Sequence, residues 1–316
     1  MSDLSTWPAA IRAAHRRIAP HIHRTPVLTS SRIDALVGAE LWFKCENFQK
    51  VGAFKARGAF NAVLSLSEAA AAAGVVTHSS GNHAAALALA ARTRGITAHI
   101  VMPQTASAAK KAAVAAYGGQ ITYCAPTLEA REATAAAIAL ETGAVMIHPY
   151  DNDAVIAGQA TAAVELIETV KGLDVVACPV GGGGLASGTG LATRWLEPAA
   201  RMVGTEPAGA DDAWRSLQAG ALTAAARIDT IADGLRAMIA PRTFALIQAC
   251  VDEVLTVSDA AIVEAMRLIW TSLKIIVEPS AAVPLAALIE HRAEIAGRRV
   301  GVILTGGNVD LDQLPW

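Results

Sequence analysis

Residues 46–61 read Glu-Asn-Phe-Gln-Lys-Val-Gly-Ala-Phe-Lys-Ala-Arg-Gly-Ala-Phe-Asn, and the centre of the stretch is Lys55, one residue after Phe54 and just ahead of an alanine-rich helical pattern. A lysine in such a place meets two influences that disfavour its ammonium form: the positive end of a helix dipole and, where it is buried, a low dielectric. A lysine so held presents a free amine, which is what attack on a carbonyl and Schiff-base formation require. The plainer alternative is a solvated lysine at a helix start. The rest of the chain has to decide between the two.

A chain of 316 residues can bury a large core and suits one large or two medium domains. Although 53% of the residues are hydrophobic, alanine supplies much of that share, and no apolar run reaches the length of a membrane span. No membrane partner is expected. The opening Met1-Ser2-Asp3-Leu4 lacks the basic and apolar regions of a secretory signal. Cys45, Cys124, Cys178 and Cys250 lie far apart, with no CxxC or metal spacing, and read as buried thiols of a reducing compartment. A cytoplasmic location is the expectation. With 26 basic and 28 acidic residues the net charge is −2, which leaves no footprint for nucleic acid.

Short β-rich runs alternate with helical patterns almost throughout. Candidate strands are Leu41–Glu46, Val75–His78, Ala98–Met102, Gln120–Cys124, Ala144–His148, Val175–Val180, Met202–Thr205, Glu253–Val257 and Val300–Thr305. Several are continuous apolar runs, the mark of strands covered on both faces. Between them fall helical patterns such as Ala84–Arg94, Lys110–Ala116, Leu128–Thr142, Val155–Val170 and Asp259–Lys274. The alternation predicts an α/β fold with mainly parallel sheets. No solenoid repeat, low-complexity linker or appended regulatory domain is expected.

In such sheets ligands collect at the carboxyl ends of strands. One loop there reads Ser79-Ser80-Gly81-Asn82-His83 and opens into an alanine helix, so its backbone N–H groups can receive an anion. A plain N-cap is the alternative. A second is Gly181-Gly182-Gly183-Gly184 ahead of Leu185; a tight turn needs one or two glycines, and four let the backbone wrap a phosphate at a helix start. A third, Thr305-Gly306-Gly307-Asn308, places a hydroxyl at a strand end. A fourth, from Glu206 through Ala210 to Asp212, offers carboxylates and carbonyls to a hard divalent cation, or else caps the helix that follows. His15, His21, His23, His99 and His291 show no ligand spacing, and no nucleophile elbow supports acyl transfer.

Taken together these motifs resemble the serine/threonine dehydratase and serine racemase family of fold-type II pyridoxal-phosphate enzymes, which includes 3-hydroxyaspartate dehydratases. The resemblance runs from about Ile18 to Leu311 in the family's order. It rests on Glu46 to Lys50 with Ala53-Phe54-Lys55-x-Arg57-Gly58, Ser79 to His83, Met102-Pro103 and Ala157-Gly158-Gln159. It continues through the four glycines, Ala232-Asp233-Gly234, Val277-Glu278-Pro279-Ser280 and Thr305 to Asn308. The resemblance implies two α/β domains with twisted, mainly parallel sheets and the cofactor between them: a large one from residues 1–65 and 150–316, and a small one from 66–149.

Position by position, it implies that Lys55 carries pyridoxal 5'-phosphate and moves the Cα proton. Phe54 packs near the ring, Asn82 bonds its 3'-oxygen, and Gly181, Gly182, Gly183, Gly184 and the Leu185 backbone hold the phosphate. Thr305 faces the pyridine nitrogen where the family most often has serine, and keeps the hydroxyl. A hydroxyl, unlike a carboxylate, does not enforce a charged ring, so elimination competes well. Ser80 stands at the second acid/base position, on the opposite face. Ser79, Ser80, His83 and Arg131 are the implied substrate contacts; a surface role on a helix is the alternative for Arg131. Glu206, the Ala210 carbonyl and Asp212 match a divalent-cation site for Mg or Ca.

The expected activity is loss of water from serine, threonine or 3-hydroxyaspartate, giving an enamine and then a 2-oxo acid and ammonia. The alternative is a racemase on the same scaffold, and a non-catalytic binding protein is a third reading. Ala53, Ala84-Ala85, Ala160 and Ala237 stand where relatives carry small polar residues or glycine. Those losses put plain serine racemase activity in question and leave open a larger or more anionic substrate such as 3-hydroxyaspartate, with Arg131 or Arg236 pairing a second carboxylate. The partner expected from the family is a second copy, forming a homodimer.

Overall fold

The computed structural model describes residues 4–316. In chain order the strands are β1 (Val27–Leu28), β2 (Glu40–Cys45), β3 (Val75–His78), β4 (Ala98–Pro103), β5 (Gln120–Cys124), β6 (Val145–Met146), β7 (Val175–Pro179), β8 (Arg201–Pro207), β9 (Glu253–Val257) and β10 (Arg299–Leu304). They form two sheets, ordered β1-β2-β10-β7-β8-β9 and β5-β4-β3-β6. Among the described strands only the β1–β2 pairing is antiparallel. The smaller sheet is one continuous piece of chain; the larger is built from the chain on either side of it.

Helices cover the sheets, which is why the inner strands are apolar on both faces: every residue of β3 and β7 is buried, and all of β10 beyond Arg299. The expected limits of β3, β5 and β9 and of the helix Leu128–Thr142 match the structure. Two differences have clear causes. β1 has only two residues, too few to show an alternation. The expected strand 144–148 shrinks to β6 because His148 leaves the ladder and its Nδ1 accepts the N–H groups of Tyr150 (3.4 Å) and Asp151 (2.9 Å).

The helix Lys55–Ser65 packs on the long helix Asp153–Thr169 through glycine. A Cβ on Gly158 would lie 2.6 Å from the Arg57 carbonyl, and one on Gly58 2.4 Å from Gln159 Nε2. Beneath this contact sits a cluster of four buried charges. The Arg57 guanidinium donates to Glu46 (2.7 and 2.8 Å), Glu165 (2.9 and 2.8 Å) and Thr161 (3.1 Å). Lys44 Nζ donates to Glu165 at 2.6 Å and to the Thr25 carbonyl at 2.7 Å. Two cations face two carboxylates, so the cluster is self-neutral and its hydrogen-bonding groups are met. It ties β2 to both helices two residues beyond Lys55.

Candidate active site

The loops that leave the carboxyl ends of β2, β3, β6, β7 and β10 converge on Lys55. Lys55 is the first residue of its helix, half-buried, with Nζ 5.0 Å from the Phe54 ring centroid and donating to the Pro149 carbonyl at 3.0 Å. Burial pushes its ammonium down to about 8, although Glu278 pulls the other way. At pH 8 about half of such an amine is free, against roughly 0.3% for an ordinary lysine. The solvated-lysine alternative fails on this geometry.

The backbone beside Lys55 is pinned to the loop after β10. Phe54 N–H donates to the Thr305 carbonyl (2.9 Å), Ala53 bridges Gly306, and Gly307 N–H donates to the Gly52 carbonyl (3.0 Å). The Thr305 hydroxyl is buried and has no partner among the described residues. Across the cleft, Asn82 Nδ2 donates to the Glu278 carboxylate at 3.1 and 3.3 Å, and its Oδ1 accepts from Asn308 Nδ2 at 2.9 Å. Burial pushes Glu278 up to about 7, with Asp233 adding to the shift.

The glycine loop is held close on all sides. A Cβ on Gly182 would lie 2.3–2.4 Å from the Tyr150 ring, on Gly183 2.7 Å from Thr243 Cβ, and on Gly184 2.9 Å from Tyr150 Cβ. Gly183 has φ +86°, which favours glycine for its backbone as well. The helix Gly184–Leu196 starts here with no side-chain cap, so its first N–H groups point into the loop. Thr243 Oγ1 holds the turn by donating to the Gly182 carbonyl at 2.9 Å.

Ser79 and Ser80 are half-buried at the entrance to the helix Asn82–Arg94. His83 is buried: Nε2 donates to the Ile147 carbonyl at 3.3 Å, and Nδ1 has no partner among the described residues. Burial, then the charge of Lys55, holds His83 down at about 3, so it is a neutral imidazole. Arg131 lies in the first turn of its helix, with Nε reaching only the Thr127 carbonyl at 3.4 Å. Its charge bears weakly on His78 and Tyr150, where the neighbouring Glu132 acts the other way. Arg236 is exposed and donates to the Thr230 carbonyl.

The acidic loop is buried. Glu206 accepts from Ala213 N (3.1 Å) and Trp214 N (2.8 Å), and so caps the helix Asp212–Ala219, while Asp212 accepts from Ile239 N at 2.8 Å. Capping therefore falls to Glu206 rather than to the two aspartates. Burial pushes Glu206 up to about 8 and Asp212 to about 6. No cluster of three or more metal-ligating side chains exists among the described residues. The donor set, two buried carboxylates plus the Ala210 carbonyl, is nevertheless the oxygen-only chemistry of a hard cation.

Three residues at the centre of the site carried no role in the sequence reading: Glu278, Asn308 and Tyr150. Glu278 and Asn308 sat inside quoted motifs, but their partners lie 30 to 257 positions away. Tyr150 had no local signal at all.

A sequence model of the family described as "Pyridoxal-phosphate dependent enzyme" matches residues 18–306. The chain belongs to that family. Among curated proteins it is 54% identical over 304 residues to beta-hydroxyaspartate dehydratase of Paracoccus denitrificans, covering 96% of each chain. It is 44% identical to L-threo-3-hydroxyaspartate ammonia-lyase of Saccharomyces cerevisiae, covering 94% of this chain and 92% of that one. Among solved structures it superposes on maize serine racemase with a TM-score of 0.94 and 48% identity, covering 96% and 94%. The family's cofactor fits the cleft: a lysine with a lowered pKa, a glycine cradle that any Cβ would fill, and an orphaned buried hydroxyl at Thr305.

Proposed function

We propose that this protein is a pyridoxal-phosphate-dependent ammonia-lyase that removes water from a β-hydroxy-α-amino acid, with 3-hydroxyaspartate as the preferred substrate. The observation that carries the reading is the Lys55 amine, held half-buried at 3.0 Å from the Pro149 carbonyl with its pKa lowered to about 8. The likeness to two hydroxyaspartate-acting relatives supports the substrate class.

Lys55 would bind the cofactor, and Gly181 to Gly184 with the Leu185 N–H would hold its phosphate. Asn82 and Thr305 would fix the ring, and Phe54 would pack beside it. Bound pyridoxal phosphate supplies the electron sink for the charge left when the substrate's Cα proton departs. The Lys55 amine would take that proton, which its lowered pKa permits near neutral pH. Ser79, Ser80 and the N–H groups of the Asn82 helix receive the α-carboxylate, and His83 braces that loop from behind. Loss of the β-hydroxyl as water leaves an enamine, which hydrolyses to a 2-oxo acid and ammonia.

A racemase reading has one observation in its favour: Ser80 is half-buried in the anion loop, and its side chain makes no hydrogen bond among the described residues. Chiral analysis of unreacted substrate separates the two. The same proposal assigns residues 1–65 and 150–316 to a large domain and 66–149 to a small one, in line with the division of the strands. It also gives a divalent cation to Glu206, Ala210 and Asp212, and takes the protein to be a cytoplasmic homodimer; the four buried, unpaired cysteines suit a reducing compartment. The test is a panel of serine, threonine and the 3-hydroxyaspartate stereoisomers assayed for 2-oxo acid and ammonia, with and without EDTA. Faster turnover of serine than of every 3-hydroxyaspartate isomer would remove the substrate assignment.

A further inference from the structure

The short segment after β6 turns at His148 and passes beside Lys55. At its middle is one peptide unit, Pro149–Tyr150, with a side chain bonded at each of its polar ends. The carbonyl, on Pro149, accepts from Lys55 Nζ at 3.0 Å, and the N–H, on Tyr150, donates to His148 Nδ1 at 3.4 Å. In a trans peptide these two groups share a plane and point in opposite directions. The described residues contain no cis peptide bond. An acceptor that holds the N–H on one side therefore aims the carbonyl to the other. His148 and Lys55 are coupled through this one rigid group.

The turn has other supports. His148 Nδ1 also accepts from Asp151 N–H at 2.9 Å, which closes the turn from inside. From outside, Arg242 donates to the Asp151 carbonyl at 2.7 Å and to its carboxylate at 2.9 Å. Both Arg242 contacts fall on Asp151, one residue beyond the peptide that faces Lys55. Pro149 has a fixed φ, which removes one soft dihedral between His148 and that peptide. An imidazole accepts at Nδ1 only while that nitrogen is unprotonated. Burial, then His78, holds His148 down at about 4, with Lys55 and Arg242 acting the same way and Asp151 against them. The ring is neutral at working pH, with its proton on Nε2. Asn and Asp close turns of this kind by accepting the N–H two residues ahead. Aspartate here would set a negative charge near Lys55 and favour its ammonium form; histidine closes the turn without one.

We propose that His148 is a positioning residue for the reaction: its imidazole orients the Pro149–Tyr150 peptide so that the Pro149 carbonyl holds the Lys55 amine. This rests on the reading of Lys55 as the lysine that carries the cofactor and moves the proton. It goes beyond that reading by naming the group that aims the amine. Two features of the ring can be separated by substitution. His148→Asn keeps an acceptor for the two N–H groups and removes the ring. His148→Phe keeps a ring edge to face with Tyr150, where the centroids lie 4.5 Å apart, and removes the acceptor.

The test labels the full-length protein, stripped of cofactor, with acetic anhydride across the alkaline range and follows the Lys55 peptide by mass spectrometry. The titratable groups that bear on Lys55 or feel its charge are Glu278, His83 and His148. A carbonyl acceptor favours the ammonium form, so His148→Phe should move the Lys55 midpoint down from about 8, by roughly half a unit or more. His148→Asn should stay with the wild type. In the reloaded enzymes kcat should fall about tenfold in His148→Phe with KM within about twofold, and His148→Asn should recover most of that loss. Equal midpoints in all three proteins, an upward move in His148→Phe, or a shift as large in His148→Asn would overturn the assignment. Should His148→Phe fail to fold, His148→Asn decides alone: an unmoved midpoint supports the assignment and a moved one overturns it. The midpoint is read without cofactor or substrate, so failure of the dehydratase reading shows separately, as wild-type holoenzyme that yields no 2-oxo acid.

Discussion

Arg57 offers the sharpest test of what holds Lys55 in place. Its side chain is wholly buried and makes five hydrogen bonds, four of them to Glu46 and Glu165. Replacing it with methionine keeps much of the volume but leaves two buried carboxylates facing Lys44 alone. Removing one partner of a buried ion pair costs about 3–5 kcal/mol, because the charge left behind has neither water nor a counter-ion. For a chain of this length that corresponds to a fall in melting temperature on the order of 10 °C. Urea unfolding followed by both circular dichroism and tryptophan fluorescence gives the free energy and checks that the two probes coincide.

A second variant isolates the electrostatic part. In Arg57→Met/Glu46→Gln one carboxylate is neutralised, so the double variant should be more stable than the sum of the single effects by about 1–3 kcal/mol. Arg57→Lys, which cannot bond two carboxylates side by side, should fall between wild type and Arg57→Met. Because Arg57 lies two residues after Lys55, loosening of this helix start should also slow turnover. Destabilisation of less than about 1 kcal/mol, or strict additivity in the double variant, would refute the view that charge balance secures this junction.

Three further outcomes follow from the site. Gly182→Ala should weaken pyridoxal-phosphate binding at least tenfold, read by cofactor absorbance, since its Cβ would fall 2.3 Å from the Tyr150 ring; Gly81→Ala, which meets nothing within 4 Å, should load normally. Thr305→Val removes a buried hydroxyl with no protein partner, so the apoprotein should be as stable as wild type or up to about 1 kcal/mol more so, while cofactor retention on dialysis declines. The stability of the apoprotein should fall as pH drops from about 6.5. His83 is held down at about 3, so in that window the unfolded chain takes up a proton that the native state refuses. Between pH 6.5 and 4.5 this one group removes about 2 kcal/mol, and His83→Gln should flatten that part of the profile.

What the sequence made legible and what it concealed divide by range. The anion loop, the four glycines and Thr305 each stand at the end of a strand, and Lys55 at the start of a helix, within a few residues of a pattern that announces the element. The motif and its placement are therefore local information. The alanine-rich helices were legible for the same reason, since helix caps and periodicity act over one or two turns. The Arg57 cluster was not, because Glu46 and Glu165 are separated from it by 11 and 108 positions. Tyr150 was hidden more deeply: the glycines its ring packs against come more than thirty residues later. Residue type alone marked Arg131 and Arg236 as equal candidates for a second carboxylate; in the structure Arg236 is engaged by the Thr230 carbonyl and Arg131 Nε reaches the Thr127 carbonyl of its own helix.

Val51 shows how the local and the distant meet. It is a β-branched residue with φ 57°, a left-handed conformation that it adopts at a cost of about 1–3 kcal/mol unless its surroundings impose it. The imposing group is Asn308, whose Nδ2 donates to the Val51 carbonyl at 2.7 Å and to Asn82 Oδ1 at 2.9 Å. Asn308 N–H and Asn82 Nδ2 both donate to Glu278. One side-chain amide thus joins the strained turn four residues before Lys55 to Asn82, on the helix that follows β3 of the other sheet. The turn is strained where the two halves of the site are fastened together, and that fastening fixes the Asn82 amide so that its oxygen is occupied and its nitrogen is aimed. Burial of Glu278 follows from the same arrangement, since a carboxyl that accepts from both asparagines has to sit between the sheets, out of reach of water. The same network holds Asn82 beside the turn that leads into Lys55.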